Sequence, residues 1–108
     1  MNNVKVFYNP IAEQVNLSFK LAKSSSVSIK VMDALGNEIL QLMNGNLDAG
    51  VQNLSFEHGG KLTTGFYFVR VVAGSETVVK DFLSAKEDEN TQLIKLNLQY
   101  NIISKGII

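Results

Sequence analysis

Cysteine is absent from the 108 residues. That excludes disulfides, zinc thiolates, iron–sulfur clusters and cysteine nucleophiles. The single histidine, His58, excludes a multi-histidine metal site or a histidine dyad. Tryptophan is missing and proline occurs once. Charge of one sign is missing too, since ten basic residues balance ten acidic ones. Nucleic-acid binders carry a basic field, so no nucleic-acid partner is expected. No stretch approaches the ~18 consecutive apolar residues of a membrane helix, and no membrane span is expected. The N-terminal residues Met1 to Val6 lack the basic start, apolar stretch and small-residue cleavage site of a signal peptide. Neither a glycine-rich phosphate loop nor a Gly-x-Ser-x-Gly elbow is present.

What is present is apolar material in short alternating runs. Apolar residues make up 45% of the chain and charged ones 19%, enough for one core and too little charge for a disordered chain. Val4 to Tyr8 reads as a first strand, ended by Asn9-Pro10, because proline cannot donate to a ladder. Val15, Leu17, Phe19 and Leu21 alternate with polar residues, the period of a half-buried strand. Val27, Ile29 and Val31 repeat the pattern. Asp33-Ala34-Leu35-Gly36-Asn37 is a turn, with glycine tolerating positive φ and Asp and Asn bonding the local backbone. A fourth strand is expected over Glu38 to Met43, then a loop over residues 44–50 that dips once into the core at Leu47. Val51 to Phe56 is a fifth strand, broken by His58-Gly59-Gly60.

Gly65 precedes Phe66 to Val72, the strongest strand in the chain, and is expected to be a turn device like Gly36. Tyr67, Val69 and Val71 share the face expected in the core, with the Tyr67 hydroxyl reaching a partner at the rim. Phe66, Phe68 and Val72 then face outward. Ala73 to Glu76 turns the chain into a seventh strand, Thr77 to Ser84. About seven strands at ~10-residue intervals make an all-β sandwich. Residues 87–108 form a separate C-terminal extension after a domain spanning 1–86. In it Ile94, Leu96, Leu98, Tyr100 and Ile102 alternate with polar residues, which suggests a turn plus an extra C-terminal strand. The alternative is a helix with Leu93, Leu96, Tyr100, Ile103 and Ile107 on one face.

The order of motifs is informative where no single one is. Tyr8-Asn9-Pro10 opens, Val27 to Glu38 follows with Asp33-Ala34-Leu35-Gly36-Asn37 inside it, then Leu47 to Gly50 and Leu62 to Arg70, then Ala73-Gly74 and Lys80. Over about residues 4–86 this resembles the type A C-terminal sorting domain of the type IX secretion system (the Por secretion system) of Bacteroidota. More distantly it resembles the immunoglobulin-like domain of flagellar hook-capping proteins. The resemblance implies a seven-stranded immunoglobulin-like β-sandwich that is a signal and not a catalyst. It implies that the parent protein crosses the periplasm and ends secreted or on the outer-membrane surface of a Gram-negative bacterium. The implied partners are the outer-membrane translocon, its surface processing protease and an upstream cargo domain. No cofactor is implied. Members usually end within a few residues of the last strand on apolar residues and lysines; here Lys80 to Lys86 takes that place and the extension follows.

Candidate recognition residues are Lys80, Phe66 and Phe68, and Asn9, Pro10, Gly36, Gly65 and Tyr67 are motif residues with structural roles. Exposed aromatics on one sheet face suggest a contact surface, unless residues 93–103 or a loop cover them. Asn9-Pro10 terminates a strand; its functional alternative is a junction with a flexible linker near a processing site. His58 beside Glu57 lacks a nucleophile or further ligands, so no catalytic residue and no metal site is expected. Residues 93–103 are also a candidate for self-association. Two rival functions remain. One is a structural immunoglobulin-like module of an extracellular or flagellar assembly. The other is a carbohydrate-binding module of a secreted hydrolase, for which only Phe66, Phe68 and Tyr100 are on offer.

Overall fold

A computed structural model describes residues 1–85. The extension 87–108, with its expected strand, its helical alternative and the self-association candidate 93–103, lies outside the described residues. Seven strands follow one another: β1 (Asn2–Asn9), β2 (Gln14–Leu21), β3 (Ser25–Asp33), β4 (Glu38–Leu47), β5 (Gly50–Glu57), β6 (Gly65–Ala73) and β7 (Glu76–Ser84). All pairings are antiparallel. Three strands form one sheet, in the order β1-β2-β5, and four form the other, β4-β3-β6-β7. This is the immunoglobulin connectivity with the fourth strand beside the third instead of beside the fifth.

The core is what the alternation dictates. Val15, Leu17, Phe19 and Leu21 of β2 meet Val27, Ile29 and Val31 of β3 and Tyr67, Val69, Val71 and Ala73 of β6, all buried. Full burial of each large apolar side chain contributes roughly 1.5–3 kcal/mol. Most belong to β2, β3 and β6, which have a hydrogen-bonded neighbour on both sides.

Hairpin turns follow local side-chain chemistry. Asn9 Oδ1 accepts from the Ile11 and Ala12 amides, at 3.1 Å each, and so folds the β1–β2 turn over Pro10. Asn9-Pro10 therefore lies inside the sandwich between two paired strands, and is not a junction with a linker. In the β3–β4 turn, Asp33 Oδ1 accepts from the amides of Leu35 (2.9 Å) and Asn37 (2.8 Å), while Oδ2 accepts from Asn37 Nδ2 (3.1 Å). Gly36 closes this turn with a φ of 87°.

Two expectations are corrected. β4 does not stop at Met43 but runs on to Leu47, with Asn44, Gly45 and Asn46 opposite Ser28, Val27 and Ser26. Pairing along the full length of β3 outweighs the turn propensity of Asn-Gly-Asn. Gly65 makes no positive-φ turn; it is the first residue of β6, opposite Ser84, and its φ is outside the left-handed region. A Cβ there would meet Tyr67 Cε2 at 3.8 Å, an ordinary contact.

Candidate recognition surface

The terminal hairpin β6–β7 presents two faces. Toward the core, Tyr67 anchors one end: its hydroxyl donates to the Thr63 carbonyl at 2.8 Å and lies 3.2 Å from Thr63 Oγ1. This tyrosine corner ties the chain entering β6 to the strand itself. Tyr67 stacks on Phe82 of β7, with centroids 5.8 Å apart. Phe82 stacks on Tyr8 of β1 at 5.7 Å, and Tyr8 on His58 at 5.8 Å. Four rings from four places in the chain thus form one column at the end of the sandwich where the chain leaves β7.

His58 was not a structural candidate from sequence, yet it is only 3% exposed. The Leu62 amide donates to its Nδ1 at 3.4 Å, which places the ring proton on Nε2, and Nε2 lies 2.6 Å from the Tyr8 hydroxyl. The His58 amide also donates to the Glu13 carbonyl. His58 therefore pins the β1–β2 turn to the connection between β5 and β6. No sequence signal marks this, because its ring partner lies 50 residues upstream.

Away from the core, β6 and β7 expose an apolar patch. Phe66 is 65% exposed and stands opposite Leu83, which is 50% exposed. Phe68, half-buried, stands between Met32 of β3 and Asp81 of β7. Val79, 49% exposed, stands opposite Arg70. Charge lies within the patch as well as beside it: the exposed Asp81 stands between Val79 and Leu83 on β7, Arg70 neighbours Lys30 of β3, and Lys30 Nζ is 3.5 Å from Glu38 Oε1.

Lys80 does not join Phe66 and Phe68. It pairs with Val69, whose side chain is fully buried, so Lys80 stands on the core-side face of β7. There, at the open seam between β7 and β1, it lines a depression with Asn3, Val4, Lys5 and Val78. An inward-pointing charge on an edge strand blocks a further strand from pairing there. The described residues hold no cluster of three or more His, Asp or Glu placed to bind a metal.

Fold and surface together define a class: a seven-stranded immunoglobulin-like β-sandwich with exposed apolar side chains on the outer face of its β6–β7 hairpin. Residues 5–85 match the model of the secretion system C-terminal sorting domain, and the chain belongs to that family. It is a type IX sorting domain, non-catalytic, which directs its cargo out of a Gram-negative cell to the medium or the cell surface. It does so by engaging the type IX machinery. No curated protein matches the chain.

Proposed function

We propose that the export machinery reads this domain as a folded shape, through the outer face of the β6–β7 hairpin. One observation carries the reading: Phe66, Val79 and Leu83 are large, apolar and exposed together on adjacent strands of one face. Patches of this kind mark interaction sites. Phe68 supports the patch from below the surface. The partner on this face is the outer-membrane translocon, the cargo domain lies upstream, and a surface protease separates the two after passage. Lys80 acts from the other face, by keeping the β7 edge free of competing strands.

A secretion assay tests this. A fluorescent reporter with an N-terminal export signal is fused to residues 1–108 and expressed in Bacteroidota strains with and without the type IX translocon. The reporter reaches the medium or cell surface only where the translocon is present. Phe66→Ser combined with Leu83→Ser lowers export while the melting temperature holds. Unchanged export in that variant removes the patch as the contact surface. Lys80→Val, which removes the inward charge, lowers export without unfolding the domain; wild-type export would take Lys80 out of the recognition set.

A further inference from the structure

We propose that the edge of β5 facing away from β2 pairs antiparallel with β5 of a second copy of this chain, centred on Leu54. A repeat in the sequence points to that partner. Residues 16–19 and 53–56 are the same tetrapeptide, Asn-Leu-Ser-Phe. The first stretch lies in β2 and the second in β5. The two meet antiparallel within the chain: Asn16 stands opposite Ser55, Leu17 opposite Leu54 and Ser18 opposite Asn53. Asn-Leu-Ser is thus complementary to itself in this fold. On the outer face Ser55 Oγ donates to Asn16 Oδ1 at 2.6 Å, and Leu17 and Leu54 share the inner one.

Among the described residues β5 has a hydrogen-bonded neighbour on one side only. The other three edge strands carry obstacles to a further strand. β1 shifts register between Asn2 and Lys5, with Asn3 at a φ of 55°. β4 carries two register shifts, and β7 carries the inward Lys80. β5 has no proline, no lysine and no register shift from Gly50 to Glu57. Such an edge is a template for another chain. The His58 amide donates to the Glu13 carbonyl, one step beyond the Gln14–Glu57 pair, and this sets the phase of the β2–β5 ladder. By alternation Val51, Asn53, Ser55 and Glu57 point their backbone groups away from β2.

Phase and faces leave few registers for two β5 strands. Edge-pointing residues must meet edge-pointing residues, and inner faces must continue inner faces. Of these, the register centred on Leu54 repeats the pairing that β5 makes with β2. Asn53 of each copy stands opposite the partner's Ser55. Leu54 meets the partner's Leu54 at a non-hydrogen-bonded position, where side chains stand closest. Leu54 is half-buried, so this contact takes further apolar surface out of water. Glu57, the one charged residue of β5, stands opposite the partner's Val51, so no like charges face each other. About eight backbone hydrogen bonds join the copies. The two-fold axis runs normal to the sheets and makes one closed pair. It leaves the outer faces of both β6–β7 hairpins on the same side of the dimer, away from the β5 edge.

Cysteine pairing on the full chain tests both the dimer and its register, since the sequence itself holds no cysteine. Asn53→Cys and Ser55→Cys both place the thiol on the exposed outer face. Mild oxidation of the two variants mixed is expected to link one to the other. Each variant alone links poorly, because like positions lie about 8 Å apart in this register, beyond disulfide reach. Self-linkage that matches the mixed product overturns the proposal. Sedimentation of the wild-type chain is expected to show a monomer–dimer equilibrium; a monomer up to about 1 mM overturns it. Asn53→Lys combined with Ser55→Lys sets like charges opposite each other twice and is expected to be monomeric, with the melting temperature of the dilute wild type. A dimer that survives this change overturns the β5 interface. So does a dimer lost in Phe66→Ser with Leu83→Ser, which would place the contact on the β6–β7 face. Amide exchange at Val51, Asn53 and Ser55 is expected to slow as concentration rises; protection unchanged by dilution would give the edge to another part of the same chain and overturn the pairing. None of these readouts depends on export, so the sorting surface and the β5 dimer fail separately.

Discussion

Asp33 and the glycines show how much a single residue carries here. The Asp33 carboxyl is held below its ordinary range, first by the backbone hydrogen bond from Asn37 and then by the Asn37 side-chain amide. A depressed carboxylate stabilises the fold fully above its unfolded pKa, and the stabilisation is lost as pH falls through the lower folded value. Asp33→Asn is thus expected to lower the urea midpoint at pH 7, and its gap from wild type to close near pH ~2. A gap of equal size at both pH values would show that the charge is not what matters. Gly36 and Gly65 separate in a parallel way. Gly36→Ala forces a side chain into the left-handed region and costs about 1–2 kcal/mol. Gly65→Ala leaves an ordinary contact with Tyr67 and is expected to be close to neutral in the same denaturation experiment. The turn at 33–37 was legible because its bonds join neighbours in sequence. The role of Gly65 was not, because it depends on β7 lying opposite.

Among the elements, the ring column does what no single strand does. It joins β1, β6, β7 and the connection after β5 at one end of the sandwich. Tyr8→Phe keeps the stacking but leaves the His58 Nε2–H, deep in the protein, without its acceptor. The expected loss is about 1–3 kcal/mol by chemical denaturation; a loss under ~0.5 kcal/mol would mean another acceptor takes over. Most strands were readable, because one buried face per strand imposes a period of two. The end of β4 was not, because its last four residues look like a turn and become strand only by pairing with β3.

In the proposed reading, the whole molecule separates folding from recognition on opposite faces of one hairpin. Tyr67→Ala removes a buried ring and a corner hydrogen bond and costs about 3–5 kcal/mol, a large share of the ~5–15 kcal/mol of an ordinary domain. Export and thermal stability are expected to fall together in that variant. In Phe66→Ser export is expected to fall while the melting temperature holds. A Tyr67→Ala protein of full stability would reverse the assignment of faces. The sequence by itself determined the strand periodicity, the outward placement of Phe66 and Phe68 and the ordered motifs of the sorting family. All of these are local patterns or fixed spacings along the chain. Only the tertiary structure decided that Lys80 stands on the face opposite the two phenylalanines. It alone joined His58 to Tyr8. Each of these depends on which strands lie side by side, and that is set by long-range pairing and burial.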